Sequence, residues 1–375
     1  MRKEDIRNVF ETVIGGEPPD IDYIQYLDVG TNKFLEFFDD ELLNGLIIPG
    51  GATCRFFEGP YGSGKSHLLK MLSRVGLKRN MLVSQIIELS EAASLRNWHM
   101  MTSYILKHLE VNDNGKVVKG LPDILAMLGA ENRIDSNKLK QFQFSHPGFA
   151  NAMGKAIQAD TLKELQRELL FGFLYGEKIG AMKLREVGIR GVKNPLTRRN
   201  AELVLNTVLS GLFSLGLPVM PLIDETETAL GNSYAAKNQM AANLIRRLID
   251  ACNTGTIIGS MIVFGVLPGF IENCGMTYQA VGERLIPPNL SDMRFGWRWP
   301  VLSLENISMV RNRDKFLEEC VTKHQQFINL GSGNTKRLSE QLLKVGREVL
   351  HQNAGISFRR ELMKRFASIA LERLR

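Results

Sequence analysis

Eight consecutive residues, Gly59-Pro60-Tyr61-Gly62-Ser63-Gly64-Lys65-Ser66, constrain this 375-residue chain more than any other feature. They match G-x-x-x-x-G-K-[ST] at every fixed position. Glycines let the backbone curl so that successive N–H groups converge on a phosphate, where a Cβ would collide. A helix starting directly after the loop adds its positive end. The local context is the required one. Thr53–Glu58 is a short β-prone run, and Ser66–Gly76 reads as a helix opening on the apolar stretch His67–Leu72. A nucleotide, ATP with Mg2+, is the expected ligand. Gly59 to Gly64, Lys65, Ser66 and His67 would hold the phosphates, Lys65 reaching the β- and γ-phosphates and the Ser66 hydroxyl ligating the metal.

A phosphate loop of this kind needs a carboxylate at the end of a neighbouring strand. Val219-Met220-Pro221-Leu222-Ile223-Asp224-Glu225 supplies an apolar run ending in two acids. Asp224 is the candidate for the metal side, and Glu225 the candidate base that polarises the attacking water. Glu227 is a weaker candidate for the same work. Apolar strands that end in surface acids are common in α/β folds, so the phosphate loop upstream is what gives this one meaning. Pro221 is awkward inside a strand because it cannot donate to a ladder; a bulge would accommodate it.

Arg2–Val13 reads as a short helix, and Thr31–Leu46 as a second with Thr31 as its N-cap. Met81–Leu89 reads as a strand. From Glu91 to about Pro195 the periodicity is mostly helical, in Leu95–Leu109, Pro122–Met127, Phe149–Gln158 and Leu162–Phe173, with a tight loop at Asn112–Gly115. Helix Arg198–Leu215, strand Val219–Ile223, helix Ala235–Ala251 and strand Ile257–Val266 follow. Strands alternating with helices predict an α/β fold of the P-loop NTPase type, a parallel sheet flanked by helices. The expected divisions are a helical lead-in at 1–50, a nucleotide-binding core at 51–304 with a helical insertion at about 91–195, and an all-helical lid at 305–375. Periodicity leaves a winged-helix fold open as the alternative to the lid.

Hydrophobic residues make up 44% of the chain and charged residues 23%, as expected of a globular protein with a full core. No apolar tract is long enough to span a bilayer, and Cys54, Cys252, Cys274 and Cys320 form no CxxC pair. A cytoplasmic address with no membrane contact is expected. Net charge is +7, and over 305–375 Lys and Arg outnumber Asp and Glu by 14 to 8. The densest cluster is Arg359, Arg360, Lys364 and Arg365. It reads equally as a nucleic-acid surface, a solvated helix face or a nucleotide sensor. Trp297 and Trp299 read either as a base-stacking patch or as packing at a domain junction.

With Tyr26-Leu27-Asp28-Val29-Gly30, the run Phe56–Ser66 and Leu222-Ile223-Asp224-Glu225 in view, the chain resembles the ATP-binding proteins of BREX-type phage-defence loci (BrxD-like), relatives of AAA+ ATPases of origin-recognition type. The resemblance implies an AAA+ core with a helical lid, and action beside DNA, a helicase or another defence-system protein. It places Asp28, Val29 and Gly30 near the adenine. It makes Arg284 a candidate catalytic finger that would face a neighbouring copy's γ-phosphate in a homo-oligomer, and Arg359 a lid arginine that senses the nucleotide. A departure accompanies it. The strand end Gly265-Val266-Leu267-Pro268 carries no side-chain hydroxyl or amide to orient water. An ATPase coupled to a DNA-processing partner is therefore weighed against a nucleotide-gated scaffold with little turnover. A small-molecule kinase is disfavoured by the Asp224–Glu225 pair.

Overall fold

The structure is a computed structural model. It describes residues 1–88, 98–113, 115–177, 179–189, 196–197, 199–224, 235–277, 279–285, 296–307, 312–331, 337–352 and 358–374. Helix α1 (Lys3–Gly15) and the short α2 (Ile24–Leu27) lead to α3 (Asn32–Phe37), which continues as a π-helix over Phe38–Ile47. Strand β1 (Ala52–Glu58), helix α4 (Lys65–Lys78) and strand β2 (Leu82–Glu88) follow. Next come α5 (Trp98–His108), β3 (Leu109–Asp113), β4 (Lys116–Lys119), α6 (Leu121–Ala130), α7 (Pro147–Ala156), α8 (Glu164–Leu174), α9 (Ala181–Glu186) and α10 (Ala201–Ser214). Strand β5 (Val219–Asp224), α11 (Ala235–Asn253), β6 (Ser260–Val266), α12 (Phe270–Thr277), α13 (Gln279–Leu285) and β7 (Val301–Ser303) complete the sheet region. Four helices close the described chain: α14 (Leu304–Ile307), α15 (Arg313–Asn329), α16 (Leu338–Gln352) and α17 (Phe358–Leu374).

The seven strands form one sheet in the order β4-β3-β2-β5-β6-β1-β7. Five of them, from β2 to β7, run parallel. Each central strand is buried on both faces, and its residues alternate between two cores. Phe56, Val219, Ile262 and Phe264 pack towards the helices of the 98–285 region, while Phe57, Met220, Met261 and Val263 pack towards the π-helix and α4. The period of two comes directly from strand geometry.

Two features differ from the sequence reading. The Asn112–Gly115 turn is not a break between helices but the tip of an antiparallel hairpin, β3–β4, which extends the sheet beyond β2. Thr31 occupies the N-cap position as read, but its side chain makes no capping bond; its hydroxyl donates to Asp28 Oδ2 at 2.6 Å. The proline anticipated at a bulge is found there. The β2–β5 register shifts between Val83 and Ile86, opposite Pro221, and the Leu222 N–H is taken up by Ser84 Oγ at 2.8 Å.

A third core belongs to the C-terminal helices. Leu317, Val321, Phe327, Leu342, Leu362 and Phe366 close around Ile6 and Phe10 of α1, so the first helix packs on the last, α17. No strand occurs among the described residues beyond β7. Trp297 is buried against Phe34 and Phe37, and its indole N–H donates to the Asn306 carbonyl. Trp299 donates to the Leu285 carbonyl. Trp297 thus serves packing, while Trp299 is half-buried.

Beneath them, buried Arg55 on β1 turns one guanidinium nitrogen to the carbonyls of Arg298 and Trp299, at 2.8 and 2.6 Å. Burial lowers its pKa to about 10. Arg55→Met keeps the volume but leaves those carbonyls without their charged donor. A loss of about 2 kcal/mol is expected, because hydrogen bonds to charged groups exceed neutral ones. A urea midpoint equal to wild type would contradict it.

Candidate nucleotide-binding site

The phosphate loop leaves β1 at Glu58 and enters α4 at Lys65. The Gly59 N–H donates to the Val266 carbonyl, which ties the start of the loop to β6. Gly62 and Gly64 have φ of 76° and 100°, the left-handed region in which a side chain is strained. A Cβ on Gly59 would come within 2.5 Å of Ser63 Oγ. The Glu58 carboxylate accepts the Gly269 N–H at 3.0 Å just ahead of α12. Burial pushes the Glu58 pKa up, partly offset by that N–H.

Lys65 is buried, and its ammonium donates to the Gly59 carbonyl at 2.8 Å and lies 5.3 Å from the centre of the exposed Tyr61 ring. Ser66 Oγ donates to Asp224 Oδ2 at 2.6 Å. A hydroxyl and a carboxylate 158 residues apart in the chain thus converge at the first turn of α4. Hard oxygen donors of this kind, completed by phosphate oxygens and water, fit Mg2+. Glu225 and Glu227 lie outside the described residues.

A cavity of about 260 Å3 opens from the loop. Its walls come from three parts of the chain. The loop and Asp224 form the polar end. Val13, Pro18, Pro19, Leu27 and Val29 form one apolar wall, and Ile307, Phe316 and Met363 the other. This division, charged at one end and apolar at the other, matches the shape of a nucleotide. Gly30, with φ of 81°, turns the chain behind Val29 and is not among the lining residues.

Asp28 is buried and accepts from Thr31 and from His67 Nε2 at 3.2 Å. Burial would raise its pKa, but His67 and Thr31 outweigh it and hold the carboxyl below its usual range. His67 lines the cavity immediately after Ser66, so Asp28 fixes the ring of a residue beside the phosphate loop. Lys70, one helical turn further along α4, donates to the carbonyls of Pro18 and Pro19 at 2.8 and 3.2 Å and draws that wall onto the core.

The basic cluster of α17 is divided: Arg359 and Lys364 are half-buried, and Arg360 and Arg365 are exposed. Arg359 lines the cavity, its guanidinium 4.7 Å from the Phe316 ring centre, and burial lowers its pKa. Its buried Nε has no hydrogen-bond partner. Arg360 and Lys364 sit against Gly16, where α1 ends; a Cβ there would meet them at 2.6 and 3.0 Å. Arg365 pairs with Glu361. Cations beside a helix C-terminus are electrostatically favoured, and Arg360 lines the cavity together with Arg359.

Arg284 is not among the cavity's lining residues. It lies on α13 in an ion pair with Asp250 at 3.0 Å, with its side chain 40% exposed. A residue that sequence reasoning missed is Glu88, an exposed acid at the end of β2 that lines the cavity opposite Asp224. A single acid at the end of a strand carries no signal until the strand order is known.

Among the described residues no group of three His, Cys, Asp or Glu side chains gathers at any one place, and no helix is long and apolar enough to cross a membrane. Residues 1–126 match the family described as BREX system ATP-binding protein BrxC/D. That span contains the whole phosphate loop and the lining residues Leu27, Asp28 and Val29. No curated protein and no solved structure matches the chain.

Proposed function

We propose, from the premise that the first third of the chain is BrxC/D-like and so carries the ATP binding that this family implies in phage defence, that the protein is an AAA+-type ATPase driving a DNA-processing partner. The observation that carries this reading is the convergence of Lys65, Ser66 and Asp224 at the polar end of the cavity. The strand order supports it. Strand β6 lies between the phosphate-loop strand β1 and the acid strand β5, so the carboxylates reach the γ-phosphate from a strand not adjacent to the loop.

In this reading Lys65 and the loop N–H groups bind the β- and γ-phosphates. Ser66 and Asp224 hold Mg2+, which when bound draws negative charge off the phosphates. Val29 and the apolar walls receive the adenine, and His67, fixed by Asp28, faces the phosphate end. Glu225 takes the proton of the attacking water, and Arg359 reads the bound nucleotide from α17. Arg284, on an exposed face, reaches the γ-phosphate of a neighbouring copy. Because α15 and α17 line the same cavity as α4, nucleotide binding closes the C-terminal helices on the core.

Steady-state ATP hydrolysis and equilibrium ATP binding by wild type and Lys65→Ala, each with and without double-stranded DNA, test this. Lys65→Ala is expected to weaken ATP at least about tenfold, the scale of losing one charge-assisted contact. DNA-stimulated turnover by the wild type supports a motor or loader. A second reading rests on the apolar end of β6 at Gly265-Val266: a nucleotide-gated scaffold, which tight ATP binding without turnover would favour.

A further inference from the structure

We infer that Glu88 is a catalytic carboxylate that accepts a hydrogen bond from the attacking water, an inference that rests on the nucleotide site proposed above. Strands β2 and β5 run parallel, with Glu88 the register partner of Asp224. In-register neighbours on parallel strands send their side chains to the same face. Glu88 is exposed, and it lines the cavity together with Asp224 and Ser66.

The other side of β5 explains why an acceptor is needed there. Its neighbour β6 presents Gly265, where a Cβ would lie 2.4 Å from Asp224 Oδ1, so no side chain fits. Val266 follows, fully buried and apolar. The water beside the γ-phosphate thus finds no polar side chain at the end of β6, and a carboxylate at the end of β2. In the step itself, the water oxygen bonds to the γ-phosphorus as the bond to the β–γ bridging oxygen breaks, that electron pair leaving on ADP. One water proton passes to the departing phosphate, giving inorganic phosphate, while Glu88 holds the water's second hydrogen and so sets its line of attack.

The test compares the affinity for MgADP alone with that for MgADP plus aluminium fluoride, which mimics the transferring phosphoryl group. Wild type, Glu88→Ala and Glu88→Gln are measured. The exposed position of Glu88 leaves folding intact, checked by the melting temperature. Wild type is expected to bind tighter with aluminium fluoride. That tightening falls about tenfold in Glu88→Ala and less in Glu88→Gln, which keeps an oxygen acceptor; MgADP affinity stays within about threefold in both. Equal tightening in wild type and Glu88→Ala overturns the role of Glu88 alone, as does a parallel loss of MgADP affinity, which would mark a metal or structural role. MgADP binding by wild type with no tightening at all removes the role and leaves a nucleotide-binding scaffold. Failure of wild type to bind MgADP at all rejects the nucleotide site itself.

Discussion

Gly265→Ala is expected to cut Mg2+-dependent ATP turnover by at least about a hundredfold, the scale seen when one group stabilising the transferring phosphoryl is removed. The added methyl would lie 2.4 Å from Asp224 Oδ1 and 3.4 Å from Leu69 Cδ1. Leu69 at that distance is in ordinary contact, so the group that has to move is the Asp224 carboxylate, only 3% exposed. A carboxylate turned away from the methyl would leave Ser66 Oγ, and the pair proposed to hold Mg2+ would come apart. The phosphate loop is untouched, so metal-free ADP should bind as in wild type. Measuring turnover, and ATP affinity with and without Mg2+, separates the two effects. Unchanged Mg2+ dependence would show that Asp224 is not the metal-side group.

Acid should weaken the C-terminal helices through one residue, His324. It is fully buried on α15, stacked on Phe10 and edge-on to Phe366, with Nδ1 2.8 Å from the Cys320 carbonyl. Its Nε2 is buried with no partner. Burial lowers its pKa from 6.5 to about 4. A base whose folded pKa is depressed is held neutral by the fold. Its contribution is complete above the unfolded pKa of 6.5. It declines as pH falls towards 4, because the unfolded chain takes up a proton that the folded one refuses. The loss approaches about 3 kcal/mol by pH 4. His324→Phe should retain the aromatic packing and lose less stability between pH 7 and pH 4.5 than wild type. Urea midpoints at the two pH values check this, since the carboxylates contribute alike to both proteins. Identical pH losses would show that His324 is not the acid-sensitive group.

The phosphate loop and the acid strand were legible because each function needs residues close together in sequence. Their boundaries fall within two residues of those read from periodicity, and the apolar alternation of Phe56, Phe57, Met220 and Leu222 does mark a doubly buried sheet. The hairpin was not legible. Lys116-Val117-Val118-Lys119 is too short to show a period, and an Asn–Asp–Asn–Gly turn signals a break without saying what lies on either side. Glu88 was missed for a different reason. Its significance depends on β2 lying beside β5, a fact of strand order that no local pattern encodes. The same holds for the cavity walls, where Val13, Pro18, Phe316 and Met363 meet only through the packing of α1 on α17.

The placement of the α17 cations divides what the positive charge over 305–375 can do. Charge counted along a sequence is often treated as a far field, available to draw a long polyanion to the surface. Here Arg359 and Arg360 line the cavity, Arg360 and Lys364 lie beside the end of α1, and Arg365 pairs with Glu361 on its own helix. The attraction they exert is short-ranged and screened within about 10 Å at ordinary ionic strength. On this placement Arg359 would act as counter-charge for a compact anion in the cavity, whereas Lys315, Lys344 and Arg347 are exposed and keep their charge at the surface.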